Sequence, residues 1–407
     1  MANKETTRKL SAWLFILANL TILPYLHIRY RIRGKNKKIF KIVKPPFVLL
    51  PNHVSMFDPP MVNIFVPFRI HFVMSDANLR SKFGKWIYGK HCNVISKTKV
   101  ISDSSAVRKI VQLARKKRVI CIFPEGRSSW DGVTHDIFFS TSKLLKVLKI
   151  PVIVPLIRGG YLTQPRWATS VRPGRMHIEY KKVFDGPELG RMTPHEIHKK
   201  LVDELWHDDY HFQRTTGQKY HTKRGAEYLE RLLFICPECH SKTTLHSDGN
   251  KFLCTSCGFE TLYTPKGLLK PIGSGKHPDR TITGWVNWQN AFFEKTIREM
   301  AYQKSIDPIF VDKEVSLLTG ERLEPLKIVT EGTMALYLDR FTITDNNGQI
   351  INFPIEKIEG VQVLLSNKFE FYFQDAVYKF QFKDPRTSGY KYMCAIQKIA
   401  PEKTELE

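Results

Sequence analysis

The 407-residue sequence is short of acidic residues and of cysteine, and it has neither internal repeats nor low-complexity tracts. Seven cysteines are too few for a disulfide scaffold of this size. Thirty-nine acidic residues stand against 63 Lys and Arg, giving a net charge of +24. That excess calls for an anionic partner: a lipid surface, a nucleic acid or a phosphorylated substrate. With 42% hydrophobic and 25% charged residues, the chain is neither disordered nor a protein of many membrane spans, and its length suggests two or three domains.

The sequence contains one long apolar run, Leu10 to Ile28 (LSAWLFILANLTILPYLHI). Its 19 residues include no Asp, Glu, Lys or Arg, and about 17–25 residues span a bilayer. Basic residues on both sides give no orientation signal. They favour a helix or helical hairpin lying in one leaflet, with the basic residues on anionic headgroups. A signal peptide is disfavoured because no small-x-small cleavage site follows, and a buried core helix is the other alternative.

Residues 40 to about 185 alternate short apolar runs with helical patterns, which predicts an α/β domain with a largely covered sheet. The predicted strands are 47–51, 70–74, 94–96, 119–123, 152–157 and 176–180. The predicted helices are 59–66, 79–89, 104–117 and 141–149. The third of these helices has an apolar stripe of Ala106, Val107, Ile110, Val111 and Ala114.

A histidine and an aspartate follow the first of these strands, in PFVLLPNHVSMFDPP. Asp58 precedes two prolines, so it is expected to start the next helix, and His53 lies in the turn before it. Such a turn can bring the Asp58 carboxylate to one imidazole nitrogen, leaving the other free to take a proton from a hydroxyl. The hydroxyl can belong to a substrate, so no Ser or Cys nucleophile is needed. The alternative is an ordinary loop histidine with Asp58 as a cap.

A second turn, FPEGRSSWDG at 123–132, follows the predicted strand 119–123. It brings Glu125 and Arg127 to a strand end, where α/β folds gather their ligands. A guanidinium suits bidentate recognition of phosphate, and Lys97 can add charge to the same pocket. The alternative is a solvated charged turn. The apolar strand and glycine pair of IPVIVPLIRGG at 150–160 can line an acyl channel, or form a plain core strand.

These motifs together resemble one family. NHVSMFD (52–58), FPEGRSS (123–129) and VIVPLIRGG (152–160), in this order and spacing, look like the lysophosphatidic acid acyltransferases of glycerolipid synthesis. The segment RYRIRGKNK (29–37) is similar to the family's entry into its domain. The resemblance covers residues 10–185 and implies N-terminal monotopic attachment and a seven-stranded α/β core.

The resemblance also implies site residues. His53 would be the general base and Asp58 its orienting partner, while Glu125, Gly126 and Arg127 would shape the acceptor phosphate site. The family usually has one residue between FPEG and its arginine, whereas Arg127 follows Gly126 directly and Ser128 takes the usual arginine position. The phosphate contact is therefore expected to come from a shifted guanidinium, with Lys97 and Arg158 as substitutes, or the acceptor headgroup differs.

Four cysteines form a CxxC-x14-CxxC array: Cys236, Cys239, Cys254 and Cys257. Two such pairs predict a closed tetrahedral zinc site that is structural, because no position is left open for catalysis. Four free thiols or an iron–sulfur centre are the alternatives. The array resembles a zinc ribbon, with short strands at 243–245 and 251–253.

The last hundred residues alternate apolar and polar positions, with a hairpin turn at Asn346-Asn347-Gly348 and a closing helix near 390–400. They look similar to pleckstrin-homology-like or GRAM-type domains, or form a plain sheet module. The predicted domains are a membrane-associating segment (1–38), an acyltransferase domain (39–190), a helical connector (191–232), a zinc ribbon (233–265), a helical linker (266–305) and this β module (306–400).

The prediction is therefore an α/β acyltransferase on the cytoplasmic face of the membrane, monotopic or single-span, in phospholipid biosynthesis. It would move a fatty acyl group from acyl-CoA or acyl carrier protein to a lysophospholipid hydroxyl, with 1-acylglycerol-3-phosphate as the expected acceptor. Its partners would be an anionic membrane surface and these substrates, without nucleic acid. The alternatives are a zinc-ribbon protein that binds nucleic acid or another acidic partner, and an inactive lipid-binding relative.

Overall fold

The computed structural model describes residues 12–92, 94–97, 104–273 and 278–401. Two compact units divide the chain. The first contains the described residues up to Pro165 and from Pro173 to Gln218. The second contains Arg166–Arg172 and the described residues from Lys219 onward. The six domain boundaries given above remain predictions.

The first unit begins with two consecutive helices, α1 (Ala12–Leu20) and α2 (Ile22–Arg29). Helical hydrogen bonding continues across the junction, because the Thr21 amide donates to the Leu17 carbonyl and the Thr21 carbonyl accepts from the Tyr25 amide. Exposed apolar side chains cover much of both helices: Trp13, Ile16, Leu17, Leu20, Ile22, Tyr25 and Ile28. Across residues 12–92, 94–97, 104–273 and 278–401, no helix combines the length and the apolar character needed to cross a membrane.

Seven strands of this unit form one mixed sheet. They are β1 (Arg33–Lys35), β2 (Phe47–Leu49), β3 (Ile70–Ser75), β4 (Ile95–Lys97), β5 (Val119–Cys121), β6 (Val152–Arg158) and β7 (His177–Phe184). Their order is β1-β7-β6-β2-β5-β3-β4. Among the described strands of this sheet, β6 and β7 pair antiparallel and the other neighbours pair parallel. The carboxyl ends of β2 to β6 and the amino ends of β1 and β7 therefore share one edge of the sheet, here called the site edge.

In the described part of this unit, short and long α-helical segments follow or flank these strands. After α1 and α2 come α3 (Ile39–Ile42), α4 (Asp58–Asn63), α5 (Lys82–Gly84), α6 (Ser104–Arg115), α7 (Phe139–Leu148), α8 (Gly160–Thr163), α9 (Gly186–Arg191), α10 (Pro194–Leu205) and α11 (Asp209–Thr216). Val48 of β2 packs with Leu145 and Leu201, so α7 and α10 cover one face. Its neighbour Phe47 contacts Phe40 of α3 on the opposite face, because successive strand residues point to opposite sides.

The six strands predicted from the sequence are all present, with ends shifted by up to four residues. The seventh, β1, was missed because its three residues are polar and exposed or half-buried. The predicted stripe of α6 is partly wrong. Val107 is 45% exposed, and Leu113 is buried in its place beside Ile110.

The second unit holds a four-stranded antiparallel sheet in the order β11-β10-β9-β8. Its strands are β8 (Leu245–Asp248), β9 (Lys251–Cys254), β10 (Glu260–Tyr263) and β11 (Leu269–Ile272). The first two lie close to the strands predicted at 243–245 and 251–253. A long helix, α12 (Ile282–Tyr302), is capped at its N-terminus by Thr281, whose hydroxyl accepts from the Gly284 amide.

A seven-stranded antiparallel sheet completes the second unit, in the order β15-β14-β13-β12-β18-β17-β16. The strands are β12 (Phe310–Gly320), β13 (Lys327–Leu336), β14 (Arg340–Asp345), β15 (Ile350–Pro354), β16 (Glu359–Leu364), β17 (Lys368–Phe373) and β18 (Ala376–Phe382), and α13 (Gly389–Ile399) follows. The hairpin turn predicted at Asn346-Asn347-Gly348 joins β14 to β15. The Asp345 carboxylate accepts from the amides of Asn347 and Gln349, and Gly348 has a φ of +82°.

Candidate functional site

The imidazole of His53 and the carboxylate of Asp58 are in direct contact at the site edge. His53 Nδ1 lies 2.8 Å from Asp58 Oδ2. The same oxygen accepts the amides of Val54 (2.7 Å) and Ser55 (2.9 Å), and Oδ1 accepts the Ser55 hydroxyl. An ionised carboxylate only accepts hydrogen bonds, so Nδ1 carries the ring proton and Nε2 presents a lone pair. Asp58 is fully buried, while the His53 side chain is 20% exposed and can meet a substrate.

Neighbouring loops hold the His53 turn from both sides. The Asn52 side chain donates to the carbonyl of Ile157 in β6 and accepts from its amide. The His53 carbonyl accepts from the Ser129 amide, and its ring packs on Phe123 with a centroid distance of 4.4 Å. Strand β6 and the loop after β5 therefore fix the position of the loop that carries the imidazole.

Glu125 is buried and binds backbone rather than solvent. Its Oε1 accepts from the His53 amide at 2.6 Å, and its Oε2 accepts from the His135 amide at 2.8 Å. Burial raises the pKa of Glu125 to about 8, although both amides and the attraction of Arg127 act to lower it. One carboxyl oxygen thus holds the His53 loop and the other holds the loop after β5, which is a positioning role. The predicted contact of Glu125 with substrate stays a prediction.

Gly126 and Lys97 both lie close to the ring of Phe138. A Cβ on Gly126 would lie 2.4 Å from Phe138 Cε2, and Gly126 has a φ of +66°. Lys97, at the carboxyl end of β4, places its Nζ 5.6 Å from the centroid of the same ring. Arg127 is half-buried and close enough to affect the Glu125 carboxyl. The structure therefore brings Lys97, Glu125, Gly126 and Arg127 together around the turn after β5.

Arg158 lies at the same edge but is held by an acid. Its Nη1 is 3.2 Å from Glu179 Oε2, and Lys35 binds the other oxygen of Glu179 at 2.9 Å. Arg158 pairs laterally with His177, which pairs with Arg33, so the three side chains lie in one row across β6, β7 and β1. Burial, followed by repulsion from Arg33, Arg158 and Arg175, lowers the pKa of His177. This row, here called the basic row, has more positive charge than Glu179 alone can balance.

Sequence reasoning missed Arg33 and His177, because a lateral row depends on strand pairing. It also missed a second buried histidine–carboxylate pair, His207 with Asp209 at 2.5 Å. Asp209 accepts the amides of Gly159 and Tyr161 at 2.7 Å each, which anchors the turn after β6. The only sequence signal for the pair is the His-Asp-Asp triplet after α10.

Four sulfur atoms gather in the second unit. The Sγ atoms of Cys236, Cys239, Cys254 and Cys257 all lie within 4.8 Å of one another. Cys236 and Cys257 are 3.7 Å apart, and Cys239 and Cys254 are 3.8 Å apart. A tetrahedral zinc ion with Zn–S bonds of about 2.3 Å requires sulfur separations of about 3.8 Å, so the four residues fit a metal ion.

Comparison with known proteins supports an acyltransferase. Residues 29–157 match the family model described as Acyltransferase. The match contains His53, Asp58, Lys97 and the turn at Glu125, and it ends one residue before Arg158. No curated protein matches the chain.

The solved structures that are similar to parts of the chain include the following two. One is the 1-acyl-sn-glycerophosphate (LPA) acyltransferase PlsC from Thermotoga maritima, at 18% identity and a TM-score of 0.39, over 51% of this chain and 85% of that one. The other is a chain of the 8S snRNP assembly intermediate, at 13% identity and a TM-score of 0.20, over 24% of this chain and 84% of that one.

Gly126→Ala should destabilise the first unit. Alanine at this positive φ costs about 1–2 kcal/mol, and its Cβ would also overlap the Phe138 ring. Gly217→Ala is a matched control, since Gly217 has a φ of +64° with nothing within 4 Å of a Cβ. Urea unfolding should show a larger loss of stability for Gly126→Ala than for Gly217→Ala. Equal losses would contradict the close packing of Phe138 on Gly126.

Proposed function

We propose that the first unit transfers a fatty acyl group from a thioester, acyl-CoA or acyl carrier protein, to the free hydroxyl of a lysophospholipid. The acceptor of the proposal is 1-acylglycerol-3-phosphate, and the product is phosphatidic acid. The observation that carries the proposal is the contact between His53 and the buried Asp58 at the site edge. The acyltransferase family match over the same residues supports it.

The proposed chemistry is direct transfer with His53 as general base. His53 Nε2 takes the proton of the acceptor hydroxyl as its oxygen attacks the thioester carbonyl carbon. Backbone amides of the site loops stabilise the oxyanion of the tetrahedral intermediate. The carbon–sulfur bond then breaks, and the thiolate receives the proton from His53. Asp58 stabilises the imidazolium between these steps and keeps Nδ1 protonated.

In this proposal, cationic side chains at the site edge bind the phosphate of the acceptor. Arg158 and its neighbours in the basic row provide charge on one side of His53, and Lys97 with Arg127 provides charge on the other. Guanidinium groups bind phosphate in a bidentate manner, which favours Arg158 and Arg33 as the recognition groups. A phosphate would also share Arg158 with Glu179, its partner in the structure.

Attachment to the cytoplasmic face of a membrane belongs to the same proposal. The exposed apolar side chains of α1 and α2 suit burial in one leaflet, which is the monotopic arrangement of this proposal. An acceptor dissolved in that leaflet would reach His53 from the bilayer. The positive charge of the chain is then matched by anionic lipids, with no nucleic-acid partner.

In the second unit, we propose that the four-cysteine cluster holds one structural zinc ion, since four thiolates leave no open position for a substrate. The C-terminal sheet of β12 to β18 with α13 is proposed to be a pleckstrin-homology-like or GRAM-like module.

Replacing His53 tests the proposed base. His53→Ala should lower acyl transfer by at least about 10²–10⁴-fold, because it removes the group that accepts the hydroxyl proton. The assay follows a labelled thioester with a panel of lysophospholipids in detergent micelles. His195→Ala, at an exposed histidine of α10, is the matched control and should keep wild-type turnover. Wild-type turnover in folded His53→Ala would refute the mechanism.

Removing a guanidinium from the basic row tests the acceptor. Arg158→Gln and Arg33→Gln should each raise KM for 1-acylglycerol-3-phosphate about 10–100-fold, the effect of losing a charged hydrogen bond of about 1.5–3 kcal/mol. KM for the acyl donor should change little. Arg191→Gln, at an exposed arginine of α9, should leave both constants unchanged. An unchanged acceptor KM in both row variants would place the phosphate elsewhere.

The zinc assignment is tested by metal analysis. Wild-type chain should contain about one zinc per molecule, and Cys254→Ser should contain far less, because three thiolates hold the ion more weakly. Cys92→Ser, outside the cluster, should keep the metal. Mass spectrometry of purified protein gives the content directly. Full zinc occupancy in Cys254→Ser, or iron in the wild type, would contradict the assignment.

A further inference from the structure

The segment after β3 is folded in an unusual way. The sequence predicts one helix over 79–89, but the structure has a 3-10 turn (Asp76–Leu79), the short α5 and a π-helical stretch (Lys85–His91). The turn at Ser81 depends on Gly84, where a Cβ would lie 2.1 Å from the Asn78 carbonyl oxygen. The Ser81 hydroxyl accepts from the Gly84 amide at 2.9 Å. Because of this tight turn, the segment departs from regular α-helical geometry, and the turn determines which of its side chains face outward.

The segment exposes two large aromatic side chains. Phe83 is 67% exposed and Trp86 is 45% exposed, and their ring centroids are 6.2 Å apart. Exposed lysines surround them at 82, 85 and 90. Exposing two adjacent aromatic rings to water is unfavourable. An exposed aromatic patch of this kind indicates a surface that binds an apolar partner.

The aromatic patch is continuous with the N-terminal helices. The His91 ring lies 4.8 Å from Trp86 and 5.5 Å from Trp13 of α1, with edge contacts to both. Arg69, just before β3, places its guanidinium 5.7 Å from the Phe15 ring of the same helix. The exposed apolar residues of α1 and those of residues 82–91 therefore belong to one surface.

The charges of this surface are of one sign. No acidic residue occurs in the sequence between Asp76 and Asp103, nor between Glu5 and Asp58. Asp76 itself is buried, with Arg80 3.8 Å away. Lysine interleaved with tryptophan is typical of the bilayer interface, where the rings sit at headgroup level and the amines meet anionic lipids. Lysine is depleted in protein–protein interfaces, which favours a lipid surface as the partner.

We propose that residues 82–91 form a second membrane contact beside α1 and α2, with Phe83 and Trp86 inserted among the headgroups of an anionic leaflet. The inference rests on the monotopic attachment under Proposed function. The segment follows the carboxyl end of β3, which lies at the same sheet edge as the His53 loop. Two contacts at this edge orient it toward the bilayer, so that a lysophospholipid can reach His53 without crossing water.

Vesicle binding tests this contact. The full chain is mixed with vesicles of equal parts phosphatidylcholine and phosphatidylglycerol, and the bound fraction is measured by flotation. Phe83→Ser with Trp86→Ser should lower the partition coefficient by about tenfold or more, since each ring contributes apolar burial. Trp206→Ser is the matched control, at a tryptophan 57% exposed at the end of α10, and should bind as the wild type does. Wild-type partition in the double variant would overturn the proposal.

A second measurement shows whether Trp86 itself enters the bilayer. Lipids brominated on their acyl chains should quench wild-type tryptophan fluorescence, and Trp86→Phe should lose part of that quenching while Trp206→Phe loses none. Identical quenching in wild type and Trp86→Phe would overturn the insertion of Trp86.

An assay of acyl transfer in detergent micelles separates the membrane-contact proposal from the proposed enzymatic function. If the double variant keeps its turnover in micelles but no longer binds vesicles, the membrane contact is supported. If the wild type has no acyl-transfer activity but still binds vesicles through Trp86, only the proposed enzymatic function is rejected.

Discussion

The carboxylate of Asp58 is the constraint on which the site depends. It is fully buried, and a buried charge is tolerated only when hydrogen bonds replace water. Two backbone amides, one hydroxyl and the His53 ring supply those bonds. Because the amides belong to the residues directly after His53, the same interaction fixes the turn and the orientation of the imidazole. Backbone conformation and proton chemistry are therefore set by one group.

Strand pairing in the sheet brings other functional groups to the same edge as the His53 turn. Parallel pairing of β2 with β5 brings the Glu125 loop next to the His53 loop, where a carboxyl group bonds to the amides of both. The antiparallel return of β7 beside β6, with β1 alongside, adds the basic row to the same edge. Residues separated by more than a hundred positions thus lie at one edge of the sheet.

Several parts of this arrangement could be predicted from the sequence. Asp58 before two prolines predicts a helix start that turns its carboxylate toward His53, and the structure has that contact. The two CxxC pairs predict a sulfur cluster of metal-binding size, and the four sulfur atoms meet. Apolar runs in the sequence predicted six of the seven strands of the first sheet. Each of these depends on residues close in sequence, where spacing and backbone preference act without help from distant parts of the chain.

The sequence by itself determined which groups can do chemistry: a histidine with a nearby acid, a glycine turn with a guanidinium, and four thiols. Tertiary structure decided what each group touches. Glu125, predicted to help shape the acceptor phosphate site, binds the backbone of two loops with its oxygens, and Arg158 shares Glu179 with Lys35. Arg33 joins His177 and Arg158 only through strand pairing, and the 82–91 segment leaves the helical pattern because Gly84 permits a close turn. These outcomes depend on partners distant in the chain or on backbone packing, which residue spacing does not encode.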